Sequence, residues 1–310
     1  MSSKNALPNQ LDDEIYESVK VKGIRVAIAG VFILGVSFLL HFPFQDTLKT
    51  LAINALNSQS SCPIQYEKIE TSLFFPKIIL TKPVFSGICF RNPRSFLKFE
   101  KMQAGLHSPS LSPLGIRLYA EINQGKTKIK AYPVVSFNKV AVKIEETDID
   151  GEILGRINPN LKTIAGLFNI EALLKSEGKF LNSAIILLKS TTFRVLGQKI
   201  MNFDIPSMTI GKLFFKANLS KKTNLQIQSL EIGGDAAPLS AKFKGKIKLN
   251  QVTPARSKVD LTGEVKFSDE FMEKFPILNI FFGGKKKDEQ GYYQMQLSGT
   301  LGQMNPPRIQ

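Results

Sequence analysis

The longest apolar stretch of the chain runs from Ile24 to Phe42 and carries no charged residue between Val26 and Leu40. A helix that crosses a membrane needs about 20 mostly apolar residues, and the long side chain of Arg25 can reach the head groups. Lys20 and Lys22 also lie on the N-terminal side of this stretch. Because flanking positive charge stays in the cytoplasm, the pattern predicts one transmembrane helix with a cytoplasmic N-terminus.

A cleaved signal peptide is the main alternative for this segment, and a buried core helix is another. The apolar core of a signal peptide has about 7–15 residues and ends at a small-x-small site. Bulky residues and Pro43 follow Leu40 here instead. We therefore expect a cytoplasmic tail at 1–23, a transmembrane helix at 24–43 and a β-rich domain at 44–310 beyond the membrane.

Beyond the predicted anchor, the spacing of apolar residues changes from helical to alternating. Thr47–Ser58 has apolar residues at helical spacing, which predicts a short helix. Alternating segments separated by Gly, Asn and Asp follow and predict antiparallel hairpins. Leu161–Lys175, with Asn160 as its N-cap, and Ser268–Phe281, with Ser268 as its N-cap, interrupt the alternation. We interpret both as short helical insertions.

The clearest alternation lies in Ala241–Leu249, where every even position is lysine and every odd position is apolar or glycine. Successive side chains of a strand point to opposite faces, so one face is apolar and the other cationic. The segments 259–267 and 293–301 repeat the pattern. The predicted inward surface consists of Phe243, Ile247, Val259, Leu261, Val265, Leu297 and Leu301. The predicted basic contact face consists of Lys242, Lys244, Lys246 and Lys248.

Strands with one apolar face belong to an antiparallel sheet with one wet face. Two short helices cover only part of a sheet of about ten to twelve strands, so the remaining apolar surface needs another cover or stays open. A closed sandwich or barrel is one solution. The other, which we favour, is a mostly β fold with an elongated, curved antiparallel sheet that forms a groove or half-open sandwich.

The formal net charge of +15 is spread along the chain. Such a charge attracts acidic partners, including membrane lipid head groups and lipopolysaccharide. Nucleic acid is not an expected partner because no recognition motif accompanies the basic residues. Cys62 and Cys89, the two cysteines, both lie beyond the predicted membrane segment. An oxidising compartment would allow a disulfide between them, and two buried free thiols are the alternative.

The chain lacks a recognisable catalytic motif. His41 and His107 are its two histidines, too few for a histidine-dependent triad or a zinc site. Neither a phosphate-binding loop nor a dinucleotide-binding glycine motif is present. We interpret the acidic residues between 145 and 150 as a turn, and calcium binding as the less favoured alternative. We expect a non-catalytic protein without metal or cofactor.

Glycine and hydrophobic landmarks recur in a distinctive order between residues 150 and 305. Gly151-Glu152-Ile153, read as a strand, precedes the predicted helix, and Gly178-Lys179-Phe180-Leu181 opens the next strand. Gly245-Lys246-Ile247-Lys248-Leu249 and Leu297-Ser298-Gly299-Thr300-Leu301 follow. Together with one N-terminal anchor and a length near 300 residues, this series resembles the N component of the type II secretion system, the GspN family.

The resemblance implies a single-pass protein in the inner membrane of a diderm bacterium, with its main domain in the periplasm. It implies an accessory role in protein export across the outer membrane, with other type II secretion components as partners. It further implies similarity to AsmA-like, groove-forming lipid-transfer proteins. The alternative function is therefore a periplasmic lipid-binding or lipid-transfer module that holds phospholipid or lipopolysaccharide in a groove.

Overall fold

The computed structural model describes residues 23–41, 44–58, 62–72, 76–90, 95–111, 113–178, 180–200, 203–275 and 277–309. Its helices are α1 (Gly23–His41), α2 (Phe44–Ser58), α3 (Gly151–Ile157), α4 (Asp269–Lys274) and α5 (Ile277–Phe282). The strands before α3 are β1 (Ile64–Gln65), β2 (Lys68–Ser72), β3 (Lys77–Thr81), β4 (Val84–Ser86), β5 (Phe96–Lys98), β6 (Lys101–Leu111), β7 (Leu114–Gln124), β8 (Thr127–Val135) and β9 (Lys139–Asp150).

The strands after α3 make up the second half of the fold. They are β10 (Ile164–Ala165), β11 (Leu167–Glu177), β12 (Phe180–Val195), β13 (Gln198–Ile200), β14 (Phe203–Ile205), β15 (Met208–Ser220), β16 (Asn224–Ile232), β17 (Leu239–Lys248), β18 (Lys258–Phe267), β19 (Tyr293–Thr300), β20 (Gln303–Met304) and β21 (Arg308–Ile309).

The chain divides into two compact units, 1–47 and 48–310. Helix α1 covers the predicted transmembrane segment, although the side chains of residues 24–26 and 38–41 lie outside the described part. Within the described part, no helix combines the length and the apolar character needed to cross a membrane. The membrane anchor is therefore unconfirmed and stays a prediction. Residues 1–22 of the predicted tail and residues 42 and 43 also lie outside the described residues.

One large antiparallel sheet dominates the second unit and confirms the mostly β prediction. Its strand order is β2-β3-β6-β7-β8-β9-β11-β12-β15-β16-β17-β18-β19-β20, with β10 paired to β12 and β21 paired to β19. Among the described strands no pairing joins β2 to β20, so the sheet is open and not a barrel. Two small sheets, β1-β4-β5 and β13-β14, accompany it.

The two ends of the large sheet have different connections. Consecutive antiparallel strands reverse direction, so alternate connections fall at the same end. Direct connections from β6 to β7, β8 to β9, β11 to β12, β15 to β16, β17 to β18 and β19 to β20 share one end, which we name the hairpin end. Helices α3, α4 and α5 lie in connections at the other end, which we name the helical end.

The strand register defines one continuous face, which we name the inner face. In the C-terminal strands Leu225 lies opposite Ile247, which lies opposite Val259, and the same alternation runs along the neighbouring strands. Helix α2 covers part of this face, where Ala52 packs against Ile69 and Leu80. At the helical end, α3 and α5 contribute further cover.

The helix predicted at Leu161–Lys175 is wrong. Leu167–Glu177 forms β11, which pairs with β9 on one side and β12 on the other. Phe168 and Ala172 are buried on the inner face, whereas Leu167 and Leu173 occupy the outer face. Apolar residues on both faces imitate helical spacing, and pairing with two distant strands decides the structure.

Gly151–Ile153, predicted as a strand, begins α3 instead. The Asp150 side chain accepts a hydrogen bond from the backbone N–H of Glu152 at 2.9 Å and caps this helix. The acidic residues between 145 and 150 therefore do not form the predicted hairpin turn, because they belong to β9 and the cap. His107, one of the two histidines, lies in β6.

The helical insertion predicted at Ser268–Phe281 is confirmed as two short helices, α4 and α5. Ser268 caps α4 by accepting a hydrogen bond from the backbone N–H of Phe271 at 3.2 Å. Asp269 and Glu270 occupy the first turn, where negative charge favours the positive end of the helix dipole. The predicted helix at Thr47–Ser58 corresponds to α2.

Cys62 and Cys89 form a disulfide, with their Cα atoms 4.6 Å apart. The bond links the segment before β1 to the turn after β4, and these two strands pair with each other.

Loss of this disulfide should destabilise the fold. For a separation of 27 residues, the loop-entropy model gives about 3–4 kcal/mol, so the Cys62→Ser/Cys89→Ser variant should unfold at lower urea concentration. Circular dichroism measures the shift, and reductant added to the unsubstituted protein should reproduce it. Thiol alkylation of the unfolded, unreduced protein should label neither cysteine. Labelling of both would contradict the bond.

Candidate functional site

The structure places six of the seven predicted groove residues on the inner face. Val259, Leu261 and Val265 are buried there. The other three are half-buried and pack against the same apolar clusters: Phe243, Ile247 and Leu297. They form the C-terminal part of the apolar inner face, and we use the name trough below for the inner face between β6 and β19.

The prediction for Leu301 is wrong. This residue lies in the turn after β19, and its side chain is half exposed. Its backbone N–H donates to the carbonyl of Ser257 at 2.9 Å, and Gly299 before it adopts a φ of +127°. The alternation of β19 therefore ends before Leu301, because the chain has already begun to turn.

The trough extends well beyond the C-terminal strands. From β6 to β19, every inner-face position that the register assigns carries an uncharged residue. Most are aliphatic, and the polar members are Gln124, Thr127, Thr147, Ser176 and Ser190. The buried Thr147 hydroxyl donates to the carbonyl of Lys128 at 3.0 Å, which satisfies its hydrogen-bonding capacity inside the fold.

The trough is open toward the hairpin end of β6 to β9. Four aliphatic side chains on the inner face are exposed there, which we name the mouth: Leu106 (52%), Ile116 (55%), Val135 (45%) and Val140 (37%). Ile116 lies opposite Val135, which lies opposite Val140, so three of them are direct cross-strand neighbours. Neighbouring exposed apolar side chains mark surfaces that bind apolar ligands or partners.

The sequence analysis did not single out the mouth. Its signal is the same alternation that marks the C-terminal strands, for example at Val140, Val142 and Ile144. Sequence alone does not distinguish an alternating residue that a helix covers from one that stays exposed. That difference depends on where α2, α3 and α5 pack.

The four predicted basic residues lie on the outer face of β17 and are exposed: Lys242, Lys244, Lys246 and Lys248. Carboxylates on adjacent strands offset part of their charge. Lys242 forms an ion pair of 3.1 Å with Glu264, which raises the pKa of that lysine, and Lys246 lies opposite Asp260. The stripe is therefore a mixed surface along most of its length.

A polar cluster on the outer face of β7 surrounds the buried Glu121 carboxylate. Tyr119 donates to this carboxylate, Asn123 donates to it at 3.0 Å, and the Lys128 ammonium lies 3.5 Å away. Burial alone would raise the pKa of Glu121, but the hydrogen bonds and the lysine outweigh it and lower the pKa to about 2. Burial and the carboxylate together raise the pKa of Tyr119 to about 12.

A cavity of about 1030 Å³ lies near α3. Its lining includes Asp150, which caps α3, and the ion-paired Glu152 and Arg156. These groups already have partners, so their roles are structural. Among the described residues, no cluster of His, Cys, Asp and Glu has the arrangement of a metal site. The trough is therefore the best candidate for a functional site.

No protein-family model matches the chain, no curated protein matches its sequence, and no solved structure matches its fold. Membership of the GspN family and similarity to AsmA-like proteins therefore stay predictions from the sequence.

The acid sensitivity of the fold tests the Glu121 cluster. The folded-state pKa of Glu121, about 2, lies below its ordinary value of 4.5. This group therefore contributes stability that is complete above pH 4.5 and is lost as the pH falls through about 2. Glu121→Gln should lower the urea midpoint at pH 7, and the difference from the unsubstituted protein should shrink between pH 4.5 and 2.

The exposed Glu146 on β9 provides the control, because Glu146→Gln should leave the urea midpoint nearly unchanged at every pH. A difference for Glu121→Gln that stayed constant across the acidic range would contradict the assigned pKa.

Proposed function

We propose that this protein is a non-catalytic lipid-binding module whose trough shields acyl chains from water. The open mouth carries the proposal, because Ile116, Val135 and Val140 expose aliphatic side chains on a face that bears no charge. A water-filled channel for polar solutes would place polar groups at these positions. An acyl chain removes the exposed apolar surface from water without needing hydrogen-bond partners.

The dimensions of the trough suit an extended apolar ligand. Eleven successive strands from β6 to β19 line it, leaving aside the attached β10 and the separate β13-β14 sheet. Neighbouring strands lie about 4.8 Å apart, so the ten steps between them span roughly 48 Å. An acyl chain that spans one leaflet of a bilayer covers about 15 Å. The inner face is therefore longer than one acyl chain, and the exposed mouth is the part that a chain would contact.

A membrane-associated, extracytoplasmic setting is part of the same proposal. The disulfide between Cys62 and Cys89 supports an oxidising compartment, which the periplasm provides. The predicted anchor at 24–43 would hold the module at the inner membrane. The anchor and the periplasmic location are the expectations drawn from the sequence, and the disulfide is the structural support for the second.

The accessory role in type II secretion remains the other candidate and rests on the sequence resemblance. The mouth could then bind an apolar surface of another secretion component. The two candidates differ in the chemistry of the occupant: acyl chains in one, a protein segment in the other. An experiment that identifies what touches the mouth in cells therefore distinguishes them.

Site-specific photo-crosslinking in cells makes this identification. In one variant a photoreactive amino acid replaces Val140, which lies on the inner face of β9. In a second variant it replaces Lys143, which lies on the outer face of the same strand. After irradiation, the full-length protein is purified and its adducts are identified by mass spectrometry. We expect lipid adducts at position 140 and several-fold fewer at position 143.

The remaining outcomes are equally informative. Protein adducts without lipid adducts at position 140 would favour docking on the secretion apparatus. Equal lipid labelling at positions 140 and 143 would reflect simple proximity to a membrane and would contradict binding in the trough.

A further inference from the structure

The side chain of one residue forms hydrogen bonds that connect three neighbouring hairpins at the hairpin end. Gln251, in the β17–β18 loop, donates from Nε2 to the carbonyls of Leu181 and Lys222, both at 2.6 Å. Its Oε1 accepts from the backbone N–H of Leu181 at 2.8 Å. The β11–β12, β15–β16 and β17–β18 hairpins are therefore held together as one surface.

A cavity of about 450 Å³ opens at this surface, and its charged lining is entirely cationic: Lys222, Lys248, Arg256 and Lys258. The Lys222 ammonium nitrogen lies 3.9 Å from a carboxylate oxygen of Glu177. For the other three cations, the described part of the chain contains no carboxylate within ion-pair distance. The lining also includes the apolar side chains of Phe180 and Val252, and Val252 is 78% exposed. We name these six residues the loop surface.

Two features of the loop surface oppose folding. Lys248 and Lys258 lie directly opposite each other on β17 and β18, where like charges are destabilising. Lys221 and Lys222, in the β15–β16 loop, adopt φ values of +51° and +64°. Residues other than Gly, Asn and Asp adopt this conformation at a cost. An anion bound between the cations would offset the first of these penalties.

Charge at the two ends of the sheet differs. The described residues of the β8–β9, β11–β12, β15–β16, β17–β18 and β19–β20 hairpin loops include no acidic residue, and Glu177 at the end of β11 lies next to them. Acidic residues are common at the helical end, where α4 alone carries Asp269, Glu270 and Glu273. Exposed apolar residues at other hairpins of the cationic end include Leu111, Leu114 and Phe137.

We propose that the loop surface docks onto a lipid bilayer that contains anionic lipids. Lys222, Lys248, Arg256 and Lys258 contact head-group phosphates, while Phe180 and Val252 enter the apolar boundary below them. Cations that attract the surface and apolar groups that insert are the combination by which proteins bind bilayer interfaces. This proposal does not rest on the trough, since the cations lie on the loops and outer face.

Fluorescence from the loop surface tests the proposal. Val252→Cys in the full-length chain is labelled with an environment-sensitive fluorophore, since the two native cysteines are bridged and do not react. The protein is held in nanodiscs of phosphatidylcholine and titrated with vesicles of one part phosphatidylglycerol to two parts phosphatidylcholine. We expect a blue shift and an intensity gain, both weakened by added salt.

Matched triple substitutions locate the effect. Lys248→Gln/Arg256→Gln/Lys258→Gln should weaken the apparent affinity for these vesicles about a hundredfold, because each cation near an anionic surface contributes to binding. The melting temperature should not fall, since the repulsion between Lys248 and Lys258 is removed. The control Lys216→Gln/Lys244→Gln/Lys246→Gln removes the same charge from the outer face and should weaken binding much less.

Three outcomes would overturn the proposal. One is a fluorophore emission that shows neither a blue shift nor an intensity gain with any vesicle. Another is equal binding to vesicles of phosphatidylcholine alone, which would leave no role for the cations. The third is an equal loss in both triple variants, which would indicate attraction by overall charge.

Discussion

The fold depends on how one apolar face of a single antiparallel sheet is kept from water. In a closed barrel or a two-sheet sandwich, such a face packs against itself or a second sheet. Here the large sheet stays open. Short elements cover part of the face, α2 near β2 and β3 and α3 and α5 at the helical end, and the inner side chains of β15 to β19 bury one another. Within the described residues, no helix covers the mouth of β6 to β9, so the arrangement that stabilises the rest of the sheet also leaves the candidate binding surface exposed.

The inner and outer faces have opposite chemistry because strands alternate. In β17, lysines occupy every second position from 242 to 248 on the outer face, while apolar residues and Gly245 occupy the inner face. The outer face tolerates charge because water and cross-strand carboxylates such as Glu264 surround it. At the end of this strand the pattern changes, since Lys248 meets Lys258 and not a carboxylate. The loop surface is therefore chemically distinct from the face that leads to it.

Much of the sheet could be predicted from the sequence, because alternation is a local property. The one-faced strands around Phe243 and Val259 and the capped helix after Ser268 followed from residue spacing and from one cap. The helix predicted at Leu161–Lys175 was wrong because leucines on the outer face of β11 obscured the alternation, and only pairing with β9 and β12 shows the segment to be a strand. The prediction that Leu301 lies on the inner face was wrong because alternation does not show where a strand ends.

The candidate sites depended on more distant relations. The mouth exists because the described helices pack elsewhere and leave Ile116 and Val135 exposed. The loop surface depends on Gln251, whose hydrogen-bond partner Leu181 lies 70 residues away in sequence. No local pattern contains either relation. The sequence does show the residue types of both sites, which are alternating aliphatic residues and cations beside the turns.

Lipid analysis of the purified protein tests the central claim, that the trough holds acyl chains, most directly. The full-length chain is extracted in mild detergent, washed extensively and analysed by mass spectrometry of its organic extract. An unrelated protein with one transmembrane helix, purified in the same way, provides the background. We predict at least one retained acyl lipid per protein molecule above that background. Retained lipid equal to the background would contradict the account.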